Sequence, residues 1–110
     1  MLRAMDTPVT ARAALLQSLI QGKGYGLELI ARVEQRTKGA IRLGQGSVYP
    51  ALRDLEDEGL VKSWDGDPLP ERGGRPRRYY ELTAEGLRAA TEHRAAVAGL
   101  FGNLVPAGAR

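Results

Sequence analysis

The sequence predicts a mainly α-helical fold with one small β-hairpin. Three segments before residue 60 repeat apolar residues at intervals of three and four, which is the helical period. Two short strand-like segments then flank a stretch rich in Gly and Pro, and a last helical segment follows from residue 83. With 110 residues, 43% hydrophobic and 26% charged, the chain can form one globular domain with a single core.

Composition narrows the class of protein further. The chain has no Cys, which excludes disulfides and thiolate metal sites. No apolar run approaches the ~20 residues of a spanning helix, and the first ten residues lack the apolar core of a secretory signal. We therefore expect a cytoplasmic protein with no membrane partner. The net charge of +3 is a mild basic bias, which indicates nucleic-acid binding only where basic residues cluster.

The first two predicted helices are bounded by capping and breaking residues. Thr7-Pro8 predicts the start of the first helix, and Gly22-Lys23-Gly24 its end. The second helix is predicted from near Tyr25 to Lys38-Gly39, with Arg32 among the residues that point outward. Residues 40–43 follow as a connector or a minimal strand.

The third helix is predicted from Gln45 to Glu58, with Gly44 at its cap position and Gly59 as a left-handed stop. Pro50 lies several residues inside it and removes one backbone hydrogen bond. Its inner face is apolar, and consists of Val48, Leu52 and Leu55.

A second stripe of this helix, spaced by four, points outward and consists of Gln45, Tyr49 and Arg53. An amide, a phenol and a guanidinium suit reading a nucleic acid better than catalysis. Arg53 can bind guanine or phosphate, Gln45 an adenine edge, and Tyr49 and Ser47 phosphates. Two alternatives remain open: Tyr49 as a half-buried ring packed on the hairpin, and Arg53 paired with its i+4 neighbour Asp57.

The hairpin is predicted from strands at residues 60–64 and 77–82, with Tyr80 and Leu82 on the core face and Tyr79 on the other. Residues 65–76 form an exposed loop between them. Four arginines fall within seven residues: Arg72, Arg75, Arg77 and Arg78. Such a cluster can enter a minor groove or bridge phosphates, although a solubilising charged turn is the alternative. Lys23, before the second helix, is a further candidate phosphate contact.

Thr83 predicts the cap of the last helix, and Glu85 lies in its first turn. Its residues step by three and four along a heptad-like seam, which indicates a dimer interface formed by Leu87, Ala90, Arg94, Val97, Phe101 and Leu104. The elements in order predict a winged helix-turn-helix with a C-terminal dimerisation helix. We assign residues 1–82 to the DNA-binding domain, 83–105 to the dimerisation helix in the same compact unit, and 106–110 to a tail.

An enzyme is not indicated. His93 is the only histidine, so a His-based triad or a metal site is not expected, and neither glycine cluster completes a nucleotide-binding motif. We therefore predict no catalytic residue, metal or cofactor. Trp64 and Phe101 could line a site for a small effector between subunits, although isolated aromatic residues are more often packing residues.

Three segments in order resemble the PadR family of bacterial transcriptional regulators: GYGLELI at 24–30, GSVYPALRDLEDEGLV at 46–61 and GRPRRYYELTAEG at 74–86. The short length is similar to the compact subfamily. The resemblance implies a winged helix-turn-helix homodimer, usually a repressor, that binds a palindromic operator and dimerises through its last helix. It also implies DNA contacts at Gln45, Ser47 and Tyr49 and a wing at Arg75, Arg77 and Arg78. The rival hypothesis is a winged-helix adaptor that binds a protein and no DNA.

Overall fold

The computed structural model describes residues 9–68, 73 and 75–102. The predicted cap at Thr7-Pro8, Arg72, Leu104 and the tail at 106–110 lie outside these residues, as does the side chain of Phe101. Four helices and three strands follow in order: α1 (Ala11–Leu19), β1 (Gly24–Tyr25), α2 (Gly26–Arg36), α3 (Gln45–Asp57), β2 (Val61–Pro68), β3 (Pro76–Leu82) and α4 (Ala84–Gly102).

The three strands form one antiparallel sheet in the order β1-β3-β2, with the helices packed on one of its faces. Pairing of Val61 with Leu82 and of Trp64 with Tyr79 sets the register of the hairpin. The mainly α fold with a small β-hairpin is confirmed, in the winged helix-turn-helix arrangement. The alternation is confirmed as well, because Tyr80 is buried in the core while Tyr79 lies on the opposite face.

Strand β1 was not predicted. It is only two residues long and exists because Gly24 and Tyr25 pair with Tyr80 and Tyr79 of β3. The minimal strand considered at residues 40–43 is wrong, because these residues form a connector without strand pairing.

Helix α1 begins later than predicted, at Ala11. Thr10 is its cap, and the Thr10 hydroxyl accepts a hydrogen bond from the Ala13 backbone N–H at 3.1 Å. This satisfies one of the free N–H groups of a helix start.

The core is centred on α3. Its inward residues Val48, Leu52 and Leu55 are fully buried, as predicted, and they pack with Leu15 of α1 and Leu29 of α2. Gly44 occupies the cap position without a side-chain hydrogen bond, and Pro50 lies inside the helix, both as predicted. Helix α3 is therefore held in place mainly by the packing of this inner face.

Helix α3 ends in a hydrogen-bonded stop. Gly59 has a φ of +79°, its N–H donates to Glu56 at 2.9 Å, and the Leu60 N–H donates to Leu55 at 2.9 Å. This pair of bonds is the Schellman motif, which uses glycine because its positive φ is strained for other residues.

The start of α4 is joined to this stop. The Thr83 N–H donates to the Leu60 carbonyl at 3.0 Å, and the Thr83 hydroxyl donates to the Gly59 carbonyl at 2.7 Å. The same hydroxyl accepts from the Gly86 N–H at 3.0 Å, so Thr83 is the cap that the sequence predicts. Within the described residues, no helix combines the length and the apolar character needed to cross a membrane.

Candidate nucleic-acid interface

The outer face of α3 carries polar side chains that are open to solvent. Gln45, Ser47 and Arg53 are all exposed, opposite the buried face of the helix. Among the ion pairs of residues 9–68 and 75–102, none joins Arg53 to Asp57, so the intrahelical pairing considered for Arg53 is absent from this part of the chain. The guanidinium of Arg53 is thus presented to solvent beside an amide and a hydroxyl.

Tyr49 differs from its neighbours on the stripe, because its ring is half-buried. The ring lies against the first residue of α2: a Cβ atom built on Gly26 would stand 2.4 Å from the phenol oxygen of Tyr49. The half-buried alternative is therefore what the structure has, and the ring packs against the start of α2 and the core cluster. Only glycine at position 26 permits this close approach, which sets the distance between α2 and α3.

Arg32 was predicted to point outward, and this is wrong. Its guanidinium is half-buried and donates to three backbone carbonyls: that of Ser18 at the end of α1 at 3.0 Å, and those of Gly22 at 2.9 Å and Lys23 at 3.0 Å in the following turn. A charged donor shared among carbonyl groups makes strong hydrogen bonds. Arg32 therefore fixes the turn from which the side chain of Lys23 extends.

The wing arginines divide between two faces of the sheet, because successive strand residues point in opposite directions. Arg78 is exposed and pairs with Asp65 on the neighbouring strand at 3.0 Å. Its hydrogen bond to that carboxylate raises the pKa of the Arg78 guanidinium above its ordinary value. Arg77 points the other way, and its guanidinium carbon lies 4.4 Å from the centre of the Tyr25 ring. Arg75 is exposed at the start of the returning strand.

The face that carries Arg77 is aromatic. Tyr25 meets Tyr79 edge-to-face with ring centres 5.7 Å apart, and Tyr79 stacks on Trp64 at 6.0 Å. The amino group of Lys23 lies 5.8 Å from the centre of the Tyr79 ring and 5.9 Å from that of Trp64. These rings were not predicted to belong to the site, although the alternation of Trp64 and Tyr79 with core residues places both rings on one face of the hairpin.

The predicted seam of α4 needs one correction. Ala90 is 0% exposed, because it packs into the protomer's own core, and it leaves no surface for a second subunit. The Gln17 amide holds this part of α4 against α1: it donates to the Ala90 carbonyl at 2.8 Å and accepts from the Arg94 Nε at 3.2 Å. The first half of the seam thus serves partly to attach α4 to its own domain.

Other apolar residues of α4 are exposed, with Leu87 at 49% and Val97 at 38%. Leu100, which the predicted seam did not include, is 74% exposed. Val97 and Leu100 border a groove of about 790 Å³ between α1, α2 and α4. An apolar stripe beside an open groove is typical of a surface that a partner covers.

Comparison with known proteins identifies the family. The model of the transcriptional regulator PadR-like family matches residues 15–92. The chain belongs to this family. The matched region contains α2, α3, the hairpin and the first part of α4, so it includes both the outer face of α3 and the aromatic face of the sheet.

Solved structures of several other proteins are similar to this PadR-like chain. A PadR-like transcription factor from Bacteroides fragilis is 22% identical, with a TM-score of 0.70 and coverage of 84% of each chain. A transcriptional regulator from Clostridium thermocellum is 24% identical, with a TM-score of 0.68 over 87% of this chain and 90% of that one. The circadian clock associated protein Pex from Anabaena is 30% identical, with a TM-score of 0.62 over 92% and 88%. No curated protein matches the chain significantly.

Proposed function

We propose that this PadR-like regulator binds double-stranded DNA in a sequence-specific manner, as a homodimeric repressor on a palindromic operator in the cytoplasm. The observation that carries the proposal is the exposed outer face of α3, where Gln45, Ser47 and Arg53 stand opposite a fully buried apolar face. In winged helix-turn-helix proteins the corresponding helix enters the major groove with its N-terminal residues at the base edges.

The proposed DNA contacts divide by role. Gln45 and Arg53 offer the amide and guanidinium groups that recognise adenine and guanine edges. Ser47 and the hydroxyl of the half-buried Tyr49 are assigned to phosphates, which position the protein without reading sequence. The basic residues at the other positions of the interface are assigned to the DNA backbone: Lys23, Arg72, Arg75, Arg77 and Arg78.

We assign residues 1–82 to DNA binding and 83–105 to dimerisation. Support for the dimer comes from the exposed Leu87 and Val97 and from the groove beside α4, which a second copy can cover. Phe101 and Leu104 continue the predicted seam, and Leu100 adds to its apolar surface. A two-fold dimer places its recognition helices ~34 Å apart, one turn of DNA. A small effector bound between the subunits is the proposed means of release, because it would shift the population toward another spacing.

A gel-shift titration tests the function, with a duplex from the region upstream of the regulator's own gene and an unrelated duplex of the same length and base composition. Specific binding is expected to exceed non-specific binding by about 10³-fold or more at physiological salt. The absence of any shift at low salt would contradict DNA binding and favour the protein-interaction adaptor. Equal affinity for both duplexes would contradict sequence recognition at this region.

A further inference from the structure

The groove between α1, α2 and α4 has an aliphatic lining. Among its described lining residues, the apolar ones include Val33 of α2, Ile41 of the connector, and Val97 and Leu100 of α4, and none is Phe, Tyr or Trp. Its volume of about 790 Å³ is within the range of small-molecule sites, roughly 300–1,000 Å³. Planar ligands gain from stacking on aromatic side chains. This lining therefore suits an aliphatic chain better than a flat ring.

The charged part of the lining is basic. Arg32, Arg36 and Arg94 line the groove, and none of its described lining residues is Asp or Glu. The guanidinium of Arg32 is already shared among three backbone carbonyls. Arg36 and Arg94 form no ion pair with a carboxylate in the part of the chain that the structure describes. Cations beside an apolar groove, with no counter-charge in its lining, favour an anionic ligand.

Arg94 is held in a way that suits a carboxylate. Its Nε donates to the Gln17 Oε1 at 3.2 Å, and the Gln17 amide is fixed in turn because it donates to the Ala90 carbonyl at 2.8 Å. This bond uses only the Nε of Arg94. Both terminal nitrogens of the guanidinium can therefore donate side by side to the two oxygens of one carboxylate, which is the bidentate geometry of strong Arg–carboxylate pairs.

We infer that the groove binds an aliphatic carboxylate, of the kind that a medium-chain fatty acid provides, with its carboxylate on Arg94 and its chain along the aliphatic lining. Arg36 adds positive charge to the same groove. The inference rests on the proposed function and deepens it, because it gives the chemical class of the small effector proposed to lie between the subunits. A second copy of the chain covers the groove, and the ligand fills the space beneath it.

The carboxylate site adjoins the attachment of α4 to α1. Gln17 accepts from Arg94 and donates to the Ala90 carbonyl, and its Nε2 lies 3.3 Å from the Nδ1 of His93. A ligand that binds Arg94 and fills the groove contacts α1, α2 and α4 at once, so it favours the position of α4 that makes all of these contacts. Because α4 is the proposed dimerisation helix, the ligand shifts the population of dimers toward one spacing.

Isothermal titration calorimetry of the full chain with decanoate, in the absence of DNA, tests the site. Hexanoate shortens the chain, decyltrimethylammonium reverses the charge, and naphthoate replaces the chain by a planar ring. Affinity is expected to fall about twofold to fourfold for each methylene removed, and to be lost with decyltrimethylammonium. Equal binding of decyltrimethylammonium overturns the recognition of an anion. Tighter binding of naphthoate than of decanoate overturns the aliphatic class.

Arg94→Gln is expected to weaken decanoate binding about tenfold or more, because hydrogen bonds to a charged group are lost. The matched control is Arg88→Gln, which makes the same change in α4 at a residue that pairs with Glu85 at 3.1 Å and does not line the groove. An equal loss in both variants overturns Arg94 as the carboxylate contact.

Ala98→Glu tests the same contact in a protein that keeps Arg94. Ala98 lines the groove four residues after Arg94, so a glutamate there reaches the guanidinium at helical spacing and competes with the ligand. Ala98→Gln is the neutral control of nearly the same size. Decanoate binding should be lost in Ala98→Glu and largely kept in Ala98→Gln. Equal affinity in the two variants overturns the placement of the carboxylate.

The regulatory role is measured separately, by anisotropy with a labelled duplex from the region upstream of the regulator's own gene. Decanoate is expected to lower the affinity of the parent for this duplex, and Arg94→Gln should need about tenfold more decanoate for the same effect. An affinity that decanoate leaves unchanged overturns its class as the effector. A protein that binds decanoate but no duplex refutes the proposed function and keeps the site. A protein that binds the duplex but not decanoate refutes this inference alone.

Discussion

Replacing Gly86 by alanine should destabilise the fold, although Gly→Ala within a helix ordinarily stabilises it by about 1 kcal/mol. Gly86 lies in the first turn of α4, where a Cβ atom would stand 1.8 Å from the Leu60 carbonyl oxygen and 2.8 Å from its carbon. Both are backbone atoms, so no side-chain rotation can relieve the overlap. Either the start of α4 or the turn at Leu60 must move.

The size of the effect follows from what that movement breaks. The movement separates Thr83 from two carbonyl groups: the Thr83 N–H now donates to Leu60 at 3.0 Å, and the Thr83 hydroxyl donates to Gly59 at 2.7 Å. Hydrogen bonds of this kind contribute about 1 kcal/mol each, and overpacking costs about 1–3 kcal/mol. After the gain of about 1 kcal/mol in helix propensity, the free energy of unfolding should fall by about 2–4 kcal/mol. For a domain of this size that lowers Tm by about 10–20 °C.

Gly99→Ala is the matched control, because it makes the same change in the same helix with nothing within 4 Å of the new Cβ atom. Urea unfolding followed by circular dichroism, at one fixed protomer concentration, measures both variants. We expect Gly99→Ala to be neutral or more stable than the parent. A Gly86→Ala protein as stable as the parent would refute the close contact between α4 and Leu60.

Three further predictions concern binding, assembly and pH. Arg53→Ala should weaken binding to operator DNA more than binding to random DNA, and equal losses on the two duplexes would show that Arg53 does not recognise bases. Arg75→Ala should weaken binding to both duplexes and lower the slope of log affinity against log salt concentration by about one. Leu87→Glu should shift the protein toward monomer in sedimentation velocity, since it places a charge in the proposed interface; an unchanged dimer would place the interface elsewhere. The hydrogen bonds from Arg12 lower the pKa of the Glu58 carboxyl below its ordinary value. The small stabilisation by this exposed pair is therefore present above the ordinary pKa and is lost as pH falls through the lower pKa of the folded state. Glu58→Gln should abolish this part of the pH dependence of unfolding, and an unaltered acid limb would contradict it.

Local patterns predicted α3 well. Its bounds, its inner face and the stop at Gly59 depend on residues within a few positions of each other, and all are present in the structure. The same holds for the Thr83 cap and for the alternation of Tyr79 and Tyr80. Structural features that depend on residues within one turn or one strand can therefore be predicted from the sequence.

Contacts between distant segments could not be predicted in this way. Strand β1 has no period of its own and depends on β3, more than fifty residues later. Arg32 has the spacing of a surface residue, but the end of α1 and the turn that follows it supply three carbonyl acceptors for its guanidinium. The spacing of the α4 seam indicates that Ala90 is buried, but it does not distinguish packing within the same protomer from packing on a second subunit. The close approach of Tyr49 to α2 depends on glycine at residue 26, which lies on another helix.

The joint between α3 and α4 has a mechanical consequence. The proposed recognition helix ends at Gly59 and Leu60, and the proposed dimerisation helix begins at Thr83 on those same two carbonyls. Helix α4 has 19 residues and a length of ~28 Å, and Gln17 attaches its middle to α1 at Ala90 and Arg94. Helices α1 and α4 and the end of α3 are therefore joined at more than one point and move as one body. In a dimer built on α4, a change in the angle between the two α4 helices would consequently change the angle between the two DNA-facing helices by the same amount.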